Sequence, residues 1–204
     1  MNLIFFLLAC GTKQTDTSSE PDNTDTAENN EPSQPSTEPA QPSTDPSGEP
    51  VEPNPTNLTT VGGCSDYFVY THDDIDTQTI HVIGSGLAQQ AHEQGEPLSI
   101  SYSINPDTDD IQPTIRFQTG ENLNHASCND AIIPGMEPVV NHEWTALSGT
   151  VLVTVTPNGD ATDWGEYPAD IEIIMENIEF SDEQGDSFIL PEKTITTSIG
   201  WMPG

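Results

Sequence analysis

The sequence predicts an all-β domain, an antiparallel β-sandwich of about eight strands with one short helix, preceded by a disordered linker. Apolar and polar residues alternate with a period of two in short segments, and clusters of Gly, Pro, Asn and Asp separate those segments. These two observations predict the sandwich. A stretch without aromatic residues, from 11 to 57, predicts the linker. A small barrel is the alternative arrangement of the same strands.

The linker, residues 10–57, consists mostly of Ser, Thr, Pro, acidic and amide side chains. Its low apolar content cannot offset the entropy of ordering, so we expect it to be disordered. A weak repeat of seven residues, EPSQPST at 31–37 and EPAQPST at 38–44, carries prolines that exclude a coiled coil. Ten acidic residues against Lys13 favour an extended stalk.

Before the linker lies a short apolar run, residues 3–9. It is too short to span a bilayer, which takes about 20 apolar residues. Leu7-Leu8-Ala9-Cys10 resembles the lipobox of bacterial lipoproteins, although the family has a small residue where this chain has Leu8. The resemblance covers residues 1–10. It implies a signal peptide over 1–9 and a membrane anchor of diacylglycerol and palmitate on Cys10. The glycine that follows this cysteine, Gly11, resembles the residue at that position in lipoproteins sorted to the outer membrane.

The strand pattern fills residues 58–204, which we predict to be one domain. Val151, Val153 and Val155 alternate with polar neighbours, and the alternation after Ile171 changes parity near 174–176, which indicates a bulge. One helix is predicted over 87–94, capped by Ser85 or Gly86. The predicted strands are 66–71, 78–84, 98–104, 113–119, 138–146, 149–157, 169–180 and 193–201.

Two cysteines remain in the domain, Cys64 and Cys128. Neither belongs to a CxxC motif or has a nearby metal-ligand spacing. Because an exported protein meets an oxidising environment, we predict that they form a disulfide.

Charge is the most extreme property of the domain. It carries 24 Asp and Glu against only Arg116 and Lys193, a net charge of −22. Binding of nucleic acid requires Lys or Arg on the phosphates, so nucleic acid is excluded as a partner. The field favours a cationic partner, and solubility alone is the other explanation.

Two acidic segments are candidates for a calcium site, since calcium prefers six to eight oxygen ligands in flexible loops. HDDID lies at 72–76 and PDTDD at 106–110, each between predicted strands. No other cofactor is predicted. The candidate calcium ligands are Asp73, Asp74, Asp76, Asp107, Asp109 and Asp110.

Catalytic motifs are missing from the sequence. No HExxH motif occurs, and VIGSGLA lacks the first glycine of a nucleophile elbow. His81 and His142 fall in strand patterns, where only tertiary contacts could bring them into a site. Trp164 and Tyr167 flank a polar turn and are candidate contacts for a carbohydrate or protein ligand, whereas Trp144 and Trp201 are predicted to fill the core.

Together these features predict a lipid-anchored module of the bacterial cell envelope, in contact with the membrane through the lipid on Cys10. A non-enzymatic binding or structural role is expected, because no nucleophile has a visible activating neighbour. The alternatives are a calcium-dependent adhesion module and an envelope hydrolase whose site is assembled only in the fold. A concave pocket lined by histidines or perturbed acids would favour the hydrolase.

Overall fold

A computed structural model describes residues 52–108, 111–129, 131, 133–162 and 165–201. The predicted signal peptide, Cys10 and most of the predicted linker lie outside these residues. All described residues belong to one compact unit, Ser47–Gly204. Every core residue and both paired cysteines belong to this unit, so it contains a complete core of its own. Within the described residues, no helix has the length and apolar character needed to cross a membrane.

The described residues form an antiparallel sheet of eight strands with one α-helix, which confirms the predicted all-β class. Two 3₁₀ turns, Pro55–Asn57 and Leu123–Ala126, complete the regular structure. The helix α1 spans Leu87–Gln94, as predicted. The strands are β1 (Thr60–Cys64), β2 (Phe68–His72), β3 (Gln78–Ile83), β4 (Leu98–Ser103), β5 (Thr114–Glu121), β6 (Val139–Pro157), β7 (Ala169–Ser181) and β8 (Ser187–Ile199).

One sheet curls into a half-barrel instead of splitting into two separate sheets. The strands follow the order β1-β2-β3-β5-β6-β7-β8, and β4 also pairs with β6. The first part of β6 pairs with β5 and its second part with β4, while β7 runs along its other side. The two ends of the sheet meet where the Ser65 N–H donates to the Trp201 carbonyl at 2.8 Å and the Gly200 N–H donates to the Ser65 carbonyl at 2.6 Å.

The concave side of the sheet holds the core. Val151, Val153 and Val155 are fully buried, as their alternation predicted, and they face the core together with Ile171 and Ile173. Helix α1 closes this side by burying Leu87, Ala88 and Ala91. Its first turn is capped by a residue remote in the sequence. The Asp66 carboxylate accepts hydrogen bonds from the N–H groups of Gly86, Ala88 and Gln89.

The strand boundaries differ from the predicted ones for local reasons. The predicted strands 138–146 and 149–157 are one strand, because Gly149 continues the chain through a register shift at a φ of 125°. The predicted parity change in β7 is confirmed, and it centres on Asn177, whose φ is 51°. β1 was not predicted, since TVGGC has little apolar alternation. The prediction that Trp201 fills the core is wrong: β8 ends at Ile199, and Trp201 is 43% exposed.

Candidate functional site

An open groove lies at the end of the sheet where β6 begins and β7 ends. Its volume is about 510 Å³. The turn between β7 and β8, residues 182–186, forms one wall, and residues near the start of β6 form the other. The lining side chains offer mostly carboxylate, hydroxyl and amide groups, and they belong to Asn141, His142, Glu143, Thr145, Ser181, Asp182, Glu183 and Gln184.

A histidine and an aspartate form a close pair in the groove. His142 Nε2 lies 2.5 Å from Asp182 Oδ2. The Asp182 side chain is only 1% exposed, whereas that of His142 is 32% exposed. The His142 ring also stacks on Trp144, with the ring centroids 4.0 Å apart and the planes 14° apart. Because Nε2 donates to the carboxylate, Nδ1 is the ring nitrogen that can accept a hydrogen bond from a ligand.

The β7–β8 turn holds Asp182 in place through its own backbone. Asp182 Oδ1 accepts hydrogen bonds from the N–H groups of Gln184 at 3.0 Å and Asp186 at 2.8 Å. Desolvation raises the pKa of Asp182, but the hydrogen bonds from His142 and from the turn outweigh it and hold that pKa below its usual value. The groove therefore contains a carboxylate that stays ionised through the neutral and mildly acidic range.

Of the two positive side chains of the domain, Lys193 is engaged away from the groove, and Arg116 pairs with the groove-lining Glu143. Lys193 Nζ donates to the Leu58 carbonyl at 2.8 Å, and burial lowers the pKa of Lys193. Arg116 Nη1 lies 3.8 Å from Glu143 Oε2, and that same oxygen accepts a hydrogen bond of 2.5 Å from Gln118 Nε2. No Lys or Arg is among the described lining residues, so the carboxylates of Asp182 and Glu183 leave the groove with an excess of negative charge even though Arg116 offsets Glu143.

A second histidine, His81 of β3, lies under a covering segment instead of in a groove. Its Nε2 is 3.0 Å from Ser127 Oγ, and the residue is 7% exposed. Its ring packs against Phe68 with a centroid distance of 5.2 Å. Desolvation, helped by the charge of Arg116, lowers the pKa of His81 to about 4. His81 is therefore neutral at pH 7, and its burial keeps it away from a ligand in solution.

The predicted disulfide is present and holds the segment over His81. Cys64 and Cys128 are joined, 64 positions apart in the chain. Cys128 follows Ser127 directly, so the bridge ties the connection between β5 and β6 to the end of β1.

The predicted calcium ligands are spread over two loops. Those of the first loop bond to neighbouring protein groups. Asp73 accepts hydrogen bonds from the Thr77 N–H at 2.7 Å and the Thr77 hydroxyl at 2.6 Å. Asp74 accepts from the Thr59 hydroxyl at 3.0 Å, and Asp76 lies 2.9 Å from His72 Nδ1.

The second calcium loop is described only in part. Asp107 lies in an exposed turn, with its N–H donating to Asn105 Oδ1, while Asp109 and Asp110 lie outside the described residues. Among the residues that are described, no group of three or more His, Cys, Asp and Glu side chains is arranged to hold a metal ion. Calcium binding at these residues stays a prediction.

One of the two predicted aromatic ligand contacts, Tyr167, lies at the opposite end of the sheet from the groove. Trp164 lies outside the described residues. Tyr167 is half-buried, with its ring centroid 5.8 Å from that of His92 and its N–H donating to the Gly200 carbonyl. Carbohydrate or protein binding at this turn stays a prediction.

The chain matches no protein-family model, no curated protein and no solved structure. The site is therefore assigned from its geometry. Sequence reasoning placed His142 in a strand and residues 181–186 in a turn, but it did not pair them. Forty positions separate His142 from Asp182, and only the β6–β7 pairing brings Thr145 opposite Ser181 and so joins the two segments.

Proposed function

We propose that this protein is a lipid-anchored binding module of the bacterial cell envelope, and that the groove at His142 and Asp182 binds a cationic group. The lipobox-like Cys10 and the long polar linker support the anchor. The groove supports the binding role, since it combines a cavity, an ionised aspartate and described lining residues that include no Lys or Arg. That composition is the single observation on which the proposal depends.

A cationic group suits the chemistry of the groove. Asp182 and Glu183 provide negative charge, whereas the charge of Glu143 is offset by Arg116. Ser181 and Thr145 provide hydroxyl acceptors. An ammonium or guanidinium group donates several hydrogen bonds and accepts none, so it complements such a lining. The His142 ring, held by stacking on the buried Trp144, gives one wall a flat surface against which a guanidinium plane can pack.

The test is a titration of residues 47–204 with arginine methyl ester, followed by NMR of the His142 ring and by calorimetry. Citrulline methyl ester, which has nearly the same shape without the side-chain charge, is the matched ligand control. We expect the arginine ester to shift the His142 signals and the citrulline ester to leave them unchanged. Glu183→Gln should weaken binding by about threefold to tenfold.

Glu172→Gln is the matched protein control, because Glu172 is an exposed carboxylate of β7 outside the groove lining. Equal weakening by Glu172→Gln and Glu183→Gln would show that only the net charge attracts the ester, and the groove proposal would then fail. Lipidation is tested separately, by incorporation of labelled palmitate into the intact chain and its loss in Cys10→Ser.

A hydrolase is the second candidate, and the His142–Asp182 pair favours it. Such a pair can activate a water or a hydroxyl as a nucleophile. In the described groove no Ser, Thr or Cys is hydrogen-bonded to His142, which favours binding over covalent catalysis. Hydrolysis of p-nitrophenyl esters and glycosides, abolished by His142→Ala, would reverse this order.

A further inference from the structure

Of the eleven exposed large apolar side chains among the described residues, five lie on neighbouring segments. These segments are the β2–β3 turn, the connection between β5 and β6, and the first residues of β6, which directly precede the groove residues Asn141 and His142. Single exposed apolar residues are ordinary on a protein surface, whereas a group of them marks an interaction site. We call this group the apolar end, and it consists of Ile75 (74% exposed), Ile133 (50%), Met136 (38%), Val139 (48%) and Val140 (47%).

Backbone hydrogen bonds bring these segments side by side. The Gly120 N–H donates to the Thr77 carbonyl at 2.9 Å, and the Leu123 N–H donates to the Asp76 carbonyl at 3.1 Å. Val140 pairs with Gly120 in the sheet, so the turn that carries Ile75 adjoins the start of β6. The Met136 N–H donates to the Ile133 carbonyl at 2.9 Å, so these two residues belong to one backbone turn.

The fold itself gives no reason for the exposure of Val139 and Val140. Consecutive strand residues point to opposite sides of a sheet, and over residues 144–146 and 151–155 of β6 one of the two sides is buried. Here both valines are about half exposed. The start of β6 therefore presents apolar surface on both sides, directly before Asn141 and His142 of the groove.

Charge decides which partner fits this surface. Glu121 and Glu137 flank the apolar end in the sequence, and the groove adds Glu183. A second copy of the domain would bring a like net charge of −22, and an anionic membrane would be repelled in the same way. A basic partner is attracted by the same charges that repel these two.

We infer that the apolar end and the groove together bind a basic polypeptide segment with apolar side chains. Its Lys or Arg enters the groove, and its apolar side chains cover the apolar end, Ile75 and Met136 included. This inference rests on the proposed function and names its ligand class. An apolar centre with a charged rim is the usual composition of a protein interface.

The experiment measures the affinity of residues 47–204 for two synthetic decapeptides at 150 mM salt, by fluorescence anisotropy. One peptide alternates Lys and Val, and the other alternates Lys and Gly, so the two carry equal charge. We expect the Lys–Val peptide to bind about tenfold more tightly, because burying apolar surface is favourable. The Ile75→Ser/Met136→Ser double variant should abolish this preference.

Leu152→Ser is the matched control, because Leu152 is 37% exposed on β6 away from the groove, and it should leave the preference unchanged. Equal binding of the two peptides would overturn the apolar end while leaving the cationic groove intact. Failure of both peptides to bind would overturn both proposals.

A preference that Leu152→Ser also abolishes would show that the apolar contact lies elsewhere. Sedimentation of the domain alone and with phosphatidylcholine vesicles tests the other occupants. Self-association or vesicle binding that Ile75→Ser/Met136→Ser removes would replace the polypeptide with that occupant.

Discussion

His81 and His142 lie on the same sheet, two strands apart, and their surroundings differ in every respect that matters for function. His81 is bonded to a neutral hydroxyl and covered by the disulfide-held segment, while His142 is bonded to a carboxylate and faces an open groove. One histidine is thereby confined to the neutral form, and the other is oriented toward solvent. The segment that lies over each histidine, more than the strand that carries it, therefore determines whether the side chain is buried in the protein or available to a ligand.

Removing the cover should have the largest effect on this contrast. The Cys64→Ser/Cys128→Ser variant loses the closure of a long loop in the unfolded chain, which on the chain-entropy model costs about 4 kcal/mol of stability. Urea unfolding of residues 47–204 measures the loss. We also expect diethylpyrocarbonate to modify His81 rapidly in the variant and slowly in the oxidised protein, whereas His142 reacts rapidly in both. Equal protection of His81 without the bridge would show that the cover is held by other contacts.

The next effect is a dependence of stability on pH that originates at His81. Its folded pKa of about 4 lies below the ordinary value of 6.5, so between these values the unfolded chain binds the proton and the folded one does not. Stability should therefore fall as the pH drops from 6.5 to 4, by about 3 kcal/mol at most. Urea midpoints across this range measure the slope, and His81→Gln should remove this part of it. A slope that survives in His81→Gln would belong to other groups.

Much of the fold was predictable, because alternation is a local property of the chain. Val151, Val153 and Val155 showed their buried side in the sequence alone, and the helix over 87–94 was confirmed at both ends. The curl of the sheet was not predictable, since it depends on register shifts near Gly149 and on Ser65 meeting Gly200 across the fold.

The candidate site was much less predictable than the fold. His142 and Asp182 each belong to an ordinary local pattern, one to a strand and one to a turn. Their pairing follows from the register of two long strands, which no short segment specifies. The same holds for the Ser127–His81 contact, although the disulfide beside it was predictable from cysteine counting.

A smaller effect should follow from removing one hydroxyl under the cover. Ser127→Ala leaves the buried His81 Nε2 without its partner, which should cost about 1–2 kcal/mol of stability. Ser99→Ala is the matched control, because Ser99 is exposed and its hydroxyl pairs with Thr154 at 2.9 Å on the outside of the sheet. We expect the control to change stability by less than about 0.5 kcal/mol. Similar losses in the two variants would mean that burial adds nothing to the His81 bond.

The smallest effect should come from the open histidine's partner and should occur in a different pH window. Because the pKa of Asp182 is held below its ordinary value of 3.8, its ionised form stabilises the fold above that value, and the contribution is lost as the pH falls through the lower folded value. Asp182→Asn should therefore flatten the stability curve below pH 3.8, measured by urea midpoints between pH 5 and pH 2.5.

Glu172→Gln is the control for Asp182→Asn, since it removes one negative charge from the exposed side of β7 without touching the groove. If both variants flatten the acid limb equally, the groove carboxylate acts only through net charge, and the difference between the two histidines reduces to their burial. If only Asp182→Asn does so, the β7–β8 turn has organised that carboxylate toward His142. The two histidines would then differ in the charge of their hydrogen-bond partners as well as in their burial.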